Sequence, residues 1–244
     1  MEQPSFSLVI PSKNEADNIL PLIREIQAVL GTLYPYELIV IDDGSTDNSL
    51  EILKRIRGSG ESRLRIFRHE RSFGQTSAIV SGVKAARAAW IVTLDGDGQN
   101  DPADIPLLLS HVFDPFRDDR LQLVAGYRKK RNDLFVRRLS SFIANKVRGR
   151  MLKDRSPDTG CGLKVFSREA FLSLPYFDHM HRFLPALFQR QGGKMISIAV
   201  NHRPRKHGQS NYGVFDRLWI GLVDILGVLW LQRRTKIPEA LKEV

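Results

Sequence analysis

Apolar and polar positions along the first part of the chain follow two alternating patterns. Short apolar runs have the length and composition of buried strands, and between them apolar residues recur at helical spacing. The runs lie at residues 6–10, 36–41, 64–67 and 90–94, and the helical patterns at 19–30, 50–56 and 74–89. Strand and helix in repeated order predict an α/β fold with a parallel sheet. The second run is apolar throughout, as in strands that are buried on both faces.

The second part of the chain has a looser pattern without internal repeats. It predicts helices at 104–113 and 133–152, strands at 121–127, 160–166 and 195–200, and a polar loop at 204–212. A strongly apolar helix at 216–232 closes with Arg233 and Arg234. We therefore expect a catalytic domain over residues 1–213, followed at 214–244 by an apolar or amphipathic helix and a tail.

Polar clusters follow three of the predicted strands. They are Lys-Asn-Glu at 13–15, Asp-Asp-Gly at 42–44 and Asp-Gly-Asp at 95–97. Because ligands of parallel α/β sheets bind beyond the carboxyl ends of the strands, these clusters should converge on one edge. Ser45 or Asp47 could cap the helix that follows the second strand. The sequence thus predicts a single polar site at that edge.

The last of these clusters has the chemistry of a divalent-cation site. Asp95 and Asp97 are spaced two apart on an extended backbone, so both carboxylates can face one point. Gln99 continues this spacing and could add a neutral oxygen. Mg²⁺ and Mn²⁺ prefer such oxygen ligands, and Mg²⁺ is often held by one or two carboxylates together with substrate phosphates. The alternative is a solvated Asp-Gly turn without a metal.

The net charge of +10 on 244 residues requires partners of opposite sign. Nucleic acid, phosphorylated small molecules and an anionic membrane surface are candidates. Nucleic acid is disfavoured because the predicted strand ends are acidic and would repel phosphates without a metal. The start of the chain lacks the basic and apolar regions of a signal peptide, and no apolar run reaches the roughly 18–20 residues of a spanning helix.

The single cysteine, Cys161, excludes a disulfide framework and is compatible with a reducing compartment. It is flanked by glycines and has no histidine near it in sequence. We therefore expect a small buried residue rather than a nucleophile. The six histidines show no metal-ligand spacing, and His179 and His181 are expected on the surface or on a substrate loop.

Six motifs together give the chain a family resemblance. They are Val-Ile-Pro-Ser-Lys-Asn-Glu (9–15), Ile-Asp-Asp-Gly-Ser-Thr-Asp (41–47), Phe-Gly-Gln-Thr-Ser-Ala (73–78), Leu-Asp-Gly-Asp-Gly-Gln-Asn-Asp-Pro (94–102), Asp-Thr-Gly-Cys-Gly-Leu-Lys (158–164) and Arg-Lys-His-Gly-Gln-Ser (205–210). In this order they resemble the family 2 glycosyltransferases of the GT-A fold, and in particular the polyprenyl-phosphate glycosyltransferases. The resemblance implies a Rossmann-like, mostly parallel sheet with helices on both faces.

The resemblance also implies roles for individual residues. The expected contacts to the base and ribose of the donor nucleotide are Pro11, Lys13, Glu15 and Asp43, with Asp95 as a further carboxylate on the nucleotide side. The expected ligands of Mg²⁺ or Mn²⁺ on the diphosphate are Asp97 and Gln99, and the expected clamp on the donor phosphates is Arg205 with Ser210. The expected contacts to the acceptor phosphate are Arg128, Arg131, Arg138 and Lys164. Among all of these, the residues expected to act in catalysis are Asp97, Arg128, Arg131 and Arg205.

The chain departs from the resemblance in two places. Lys164 stands where many relatives have Arg, so a point charge replaces a bidentate fork. Many relatives also carry clear transmembrane helices near the C-terminus, which this sequence does not show.

The implied activity is inverting, metal-dependent transfer of a sugar from a UDP- or GDP-sugar to a polyprenyl phosphate. Such an acceptor is already ionised near neutral pH and needs no strong base. The alternative is a hydroxyl acceptor of a polysaccharide or glycolipid, which would require a carboxylate base such as Asp101 or Asp158. A sugar-nucleotide-binding scaffold without catalysis is a further alternative, against which the intact Asp95, Asp97 and Gln99 argue.

Two segments indicate a membrane surface as a partner. Residues 128–155 are rich in Lys and Arg, and each such cation contributes roughly 1 kcal/mol near an anionic leaflet. The apolar helix carries Trp219 and Trp230, which suit a helix lying in the interface. We expect peripheral binding on the cytoplasmic face. The alternatives are a solvated charged face for the first segment, and packing on the protein's own core or in a homo-oligomer contact for the second.

Overall fold

The computed structural model describes residues 3–128, 149, 151–154, 156–205, 214–234 and 236, with side chains left out at 214–220. The described strands are β1 (Phe6–Ser12), β2 (Tyr36–Asp43), β3 (Leu64–His69), β4 (Trp90–Thr93), β5 (Leu121–Arg128), β6 (Lys164–Ser167) and β7 (Lys194–Val200). The described helices are α1 (Ala16–Leu30), α2 (Ser49–Gly58), α3 (Gln75–Ala85), α4 (Ile105–Val112), α5 (Arg168–Leu172), α6 (Leu184–Arg190) and α7 (Val214–Arg234). Short 3₁₀ turns occupy Pro102–Asp104 and Met180–Arg182.

The described strands form one mostly parallel sheet in the order β3-β2-β1-β4-β6-β5-β7. Strands β3, β2, β1 and β4 run parallel, which confirms the α/β prediction. Strand β6 pairs antiparallel with both β4 and β5, and β7 pairs parallel with β5. Because β6 is reversed, its first residue lies at the edge where β4 ends. Lys164 there is in register with Thr93.

The sheet separates two hydrophobic cores, and the central strands alternate between them. In β1, Leu8 and Ile10 pack into the core beneath α1, α2 and α4, whereas Val9 packs into the core beneath α3, α5 and α6. All three are completely buried. This accounts for the uninterrupted apolar runs in the sequence, since a strand covered on both faces has no polar side.

Helix α7 packs on the second core through Val228, which is completely buried. Its side chains Leu222, Val223, Leu226 and Trp230 are exposed, so the helix presents an apolar strip on its outer side. Within the part of the chain that the structure describes, no helix is long and apolar enough to span a bilayer. The basic helix predicted at 133–152 lies almost entirely outside the described residues.

Three sequence expectations differ from the structure. Helix α3 ends at Ala85 rather than 89, because Ala86 is extended and the next amide, of Arg87, is bonded by the carboxylate of Glu37. The strand predicted at 160–166 begins only at Lys164. Helices α5 and α6 were not predicted, since five and seven residues are too few to show a helical period.

Glu37 organises the amino-terminal edge of the sheet, opposite the predicted site. Its carboxylate accepts 2.6 Å hydrogen bonds from Ser7 Oγ, Arg87 N and Arg65 Nη1. Burial alone would raise the pKa of Glu37, but these donors favour the ionised form and hold the pKa below the ordinary 4.5. The carboxylate therefore stabilises the folded state above the unfolded-state pKa, and this stability is lost as pH falls through the folded-state pKa.

We expect Glu37→Gln to lower the free energy of unfolding by about 2 kcal/mol at pH 7, because hydrogen bonds to a charged group are lost. The difference from wild type should shrink towards pH 3.5, as measured by urea unfolding at both pH values. The matched control Glu51→Gln breaks the exposed pair with Lys54 and should leave stability nearly unchanged. A Glu37→Gln deficit that is equal at both pH values would contradict the assignment.

Candidate active site

The loops after β1 and β2 are joined into one wall of the site. Asn14 N and Glu15 N donate to the hydroxyls of Ser45 and Ser49, each at 2.9 Å. Asp47 accepts from Ala16 N at 3.1 Å and from Ser49 N at 3.0 Å, so one carboxylate serves the first residues of both α1 and α2. The N-cap of α2 is Asn48 and not Ser45 or Asp47 as expected: Asp47 bonds the first amide of the helix from one residue further back, and Ser45 holds the loop after β1.

Asp95 lies at the centre of the carboxyl edge, two residues after the end of β4. Its carboxylate accepts a 2.8 Å hydrogen bond from Gln75 Nε2. Behind it, a Cβ at Gly162 would overlap the carboxylate, so glycine is required for this close approach. Burial raises the pKa of Asp95 to about 6, with the negative charge of Asp97 as the second cause and Lys164 as the main opposing charge.

Asp97 faces a second wall that is formed by the segment before residue 206. Arg205 Nη2 lies 3.0 Å from Glu15 Oε1 and 3.5 Å from Asp97 Oδ2, so this guanidinium bridges two of the strand-end clusters. Burial raises the pKa of Glu15, Arg205 opposes the rise, and Asp97 adds to it. Asp97 thus repels both Asp95 and Glu15 at a half-buried edge.

Backbone contacts fix the segment that carries Arg205. Arg203 N donates to Gln99 O at 2.9 Å, and the Arg203 guanidinium pairs with Asp101 at 2.7 Å and with Glu25 at 2.6 Å. Gln99 also donates weakly to Arg203 O, at 3.5 Å. These contacts hold Arg205 over Asp97.

Arg128, at the end of β5, forms a bidentate pair with Asp158. Its Nε and Nη2 lie 2.6 and 2.9 Å from the two carboxylate oxygens. Both side chains are largely buried. Arg128 is close enough to Asp95 to oppose the rise of its pKa, so the pair forms part of the same site.

A cavity of about 270 Å³ opens beside Asp95. Lys164 lines it and is almost completely buried, donating to Cys161 O, and its burial lowers its pKa. Cys161 itself is buried, which confirms the expected burial of this residue. The cavity brings Lys164, Asp95 and the segment 159–162 together, as the motifs suggested.

Gln75 and Arg182 line this cavity and were not singled out from the sequence, whereas His181, which was expected on the surface or on a substrate loop, lines it as well. His181 belongs to the turn before α6 and meets Thr76 Oγ1 at 2.7 Å through Nδ1. Burial, followed by the charge of Arg182, holds the pKa of His181 well below its ordinary value, so the ring is neutral. Gln75 lies inside the motif at 73–78 and could have been noticed there. The turn carried no sequence signal.

The remaining predicted residues fall into two groups. Pro11 lies at the end of β1, Lys13 is exposed, and Asp43 is buried at the end of β2. Arg131, Arg138 and Ser210 lie outside the described residues.

The carboxylate oxygens at this edge suit a divalent ion that is also bound by a substrate. Asp97 is partly exposed, its Oδ1 accepts from Gln99 N at 3.1 Å, and the neighbouring carboxylates leave excess negative charge. Over the described ranges, no three His, Cys, Asp or Glu side chains gather to enclose an ion. One or two carboxylates with substrate phosphates are the usual arrangement for Mg²⁺.

A solved structure with a similar fold is that of glucosyl-3-phosphoglycerate synthase from Mycobacterium tuberculosis in complex with Mn²⁺, uridine diphosphate and phosphoglyceric acid. The TM-score is 0.68 at 21% identity, covering 96% of this chain and 80% of the other. This similarity supports the fold assignment, and the mostly parallel sheet is that of the GT-A glycosyltransferases.

Sequence comparison gives closer relatives. The chain is 38% identical over 238 residues to dodecaprenyl-phosphate galacturonate synthase of Rhizobium johnstonii, which covers 96% of this chain and 69% of that protein. It is 32% identical over 209 residues to undecaprenyl-phosphate 4-deoxy-4-formamido-L-arabinose transferase of Edwardsiella ictaluri, covering 85% of this chain and 63% of the relative. The glycosyl transferase family 2 model matches residues 7–174. The chain therefore belongs to glycosyl transferase family 2 and is a glycosyltransferase of the GT-A fold.

Proposed function

We propose that this enzyme transfers a sugar, with inversion, from a UDP- or GDP-sugar to a polyprenyl phosphate at the cytoplasmic face of a membrane. The observation that carries the proposal is the convergence of Asp95, Asp97 and Glu15 with the cations Arg205, Arg128 and Lys164 at one sheet edge. Both relatives named above act, by their names, on polyprenyl phosphates.

In this proposal the donor lies across the carboxyl edge. Pro11, Lys13, Glu15 and Asp43 line the nucleotide side with Asp95, while Asp97 and Gln99 hold Mg²⁺ or Mn²⁺. When bound, such an ion supplies Lewis-acid stabilisation of the charge that develops on the departing diphosphate. Arg205 places positive charge against the same phosphates, and Ser210 completes this clamp. Two solved structures of the neighbour named above contain Mn²⁺ or Mg²⁺ with uridine diphosphate, which supports the use of a divalent ion.

The acceptor phosphate enters the cavity beside Asp95. One of its oxygens attacks the anomeric carbon, the bond from that carbon to the diphosphate breaks, and the diphosphate leaves with the electron pair. Lys164 and Arg128, with Arg131 and Arg138, hold the acceptor charge. Asp101 and Asp158, the candidate bases for a hydroxyl acceptor, are each paired with an arginine. This pairing favours an acceptor that needs no base.

Asp97→Asn should reduce transfer by on the order of 10²–10³-fold, because an amide replaces the ligand charge. Transfer is followed as radiolabel in the organic phase, with UDP- and GDP-sugars, Mg²⁺ or Mn²⁺, and undecaprenyl phosphate. Asp119→Asn, on an exposed loop, is the matched control and should keep wild-type activity. Unchanged turnover in folded Asp97→Asn would remove the metal role.

The phosphate of the acceptor should be indispensable. With the donor and metal fixed, undecaprenyl phosphate should be glycosylated and undecaprenol should not, with at least a roughly 10³-fold difference in rate, because the alcohol lacks an ionised nucleophile. Product formation is measured by mass spectrometry of the lipid fraction. Comparable rates for both would support the hydroxyl-acceptor alternative instead.

We propose that residues 214–244 dock on the membrane surface while 1–213 carry catalysis. Leu226 and Trp230 on α7 are 62% and 58% exposed, and Arg233, Arg234 and Lys236 follow them. Exposed apolar side chains beside cations suit the interface of an anionic bilayer. The side chain of Trp219 and most of the basic segment lie outside the described residues.

Leu226→Glu should weaken binding to vesicles that contain phosphatidylglycerol by about tenfold, since an inserted apolar side chain becomes a charge repelled by the lipid. Co-sedimentation measures the bound fraction. Phe116→Glu makes the same change in charge at an exposed phenylalanine elsewhere and should leave binding within about twofold. Equal loss in both variants would mean that net charge, and not the face of α7, governs binding.

A further inference from the structure

His69 joins three elements behind the active-site edge. It is the last residue of β3 and is in register with Asp43, the last residue of β2. Its Nδ1 lies 2.7 Å from Asp43 Oδ1, and its Nε2 lies 2.9 Å from the hydroxyl of Ser81 on α3. The ring is largely buried, and Phe73 packs edge-on against it at 5.6 Å between ring centroids.

Asp43 holds the turn that precedes α3. Its carboxylate accepts from Ser72 Oγ at 2.7 Å and from the amides of Phe73 and Gly74 at 2.9 Å. Burial by itself would raise the pKa of Asp43, but these donors and His69 lower it, so the group is ionised. Gly44 is left-handed, with φ of 67°, and a Cβ there would lie 2.6 Å from Ser72 N. The turn is thus pressed against the end of β2.

This turn sets the position of Gln75, the first residue of α3, which donates to Asp95. Hydrogen bonds therefore lead from Ser81 through His69 and Asp43 to the turn at 72–74, and the chain continues from Gly74 into Gln75, whose side chain bonds the central carboxylate. We propose that His69 is a positioning residue for the donor site, which fixes through Asp43 the turn that presents Gln75 to Asp95. The expected effect of His69 on donor binding rests on the proposed function, whereas its effect on the turn at 72–74 does not.

The chemistry of imidazole explains why histidine suits this position. An ionised carboxylate only accepts, so Nδ1 carries the proton that faces Asp43, and Nε2 forms the hydrogen bond with the Ser81 hydroxyl, which can donate or accept. Two hydrogen bonds at opposite sides of one rigid ring tie α3 to β2. Leucine offers neither bond, whereas asparagine offers an N–H donor close to the place of Nδ1.

The first test needs no activity. Hydrogen exchange in the unliganded protein should show the amides of Phe73 and Gly74 exchanging at least about tenfold faster in His69→Leu than in wild type, and near the wild-type rate in His69→Asn. Ser7→Ala, which weakens the network around Glu37 at the opposite edge, is the control for a general loss of stability. Equal exchange of these amides in His69→Leu and Ser7→Ala would overturn the inference.

The second test measures nucleotide binding at the donor site. With Mn²⁺ present, calorimetry with UDP and with GDP should show affinity about tenfold weaker in His69→Leu, and the KM of the donor should rise with little change in the KM of the acceptor. His69→Asn should recover to within about threefold. Wild-type binding with unchanged affinity in His69→Leu would overturn the inference alone, whereas wild-type protein that binds neither nucleotide would overturn the proposed function and the donor-site role with it.

Discussion

Mutual repulsion among carboxylates at one half-buried edge is the constraint on which the rest of the site depends. Asp97 raises the pKa of both Asp95 and Glu15, and the charge of these carboxylates is only partly balanced by Arg205 and Lys164. An edge of this kind is stabilised by cations close at hand, and a divalent ion would meet the same electrostatic requirement. The cations that the fold places there follow from this requirement.

Those cations arrive from distant parts of the chain. The reversal of β6 brings Lys164 to the end of β4, and the contacts of Arg203 with Asp101 and Glu25 bring Arg205 over Asp97. On the far side, the turn at 72–74 is held by Asp43 and delivers Gln75 to Asp95. The site is therefore surrounded by three segments that approach the strand ends from different directions, and each is fixed by its own hydrogen bonds.

The experiments separate these contributions because the chain has a second polar network at the opposite edge. Glu37 joins β1, β2, β3 and the segment after α3 without contact to the site. Disruption of the Glu37 network lowers the free energy of unfolding of the whole protein. Disruption of the contacts of Asp43 releases only the turn at 72–74, so hydrogen exchange distinguishes the two.

The sequence by itself determined the parallel part of the sheet, the convergence of the polar clusters and the family, because apolar periodicity and strand-end motifs are local signals. The tertiary structure decided what has no local signal. Short α6 and the turn that carries His181 line the cavity, and the partners of Asp43 depend on register between β2 and β3. Contacts between residues far apart in sequence arise only when the chain has folded, so spacing along the chain does not encode them.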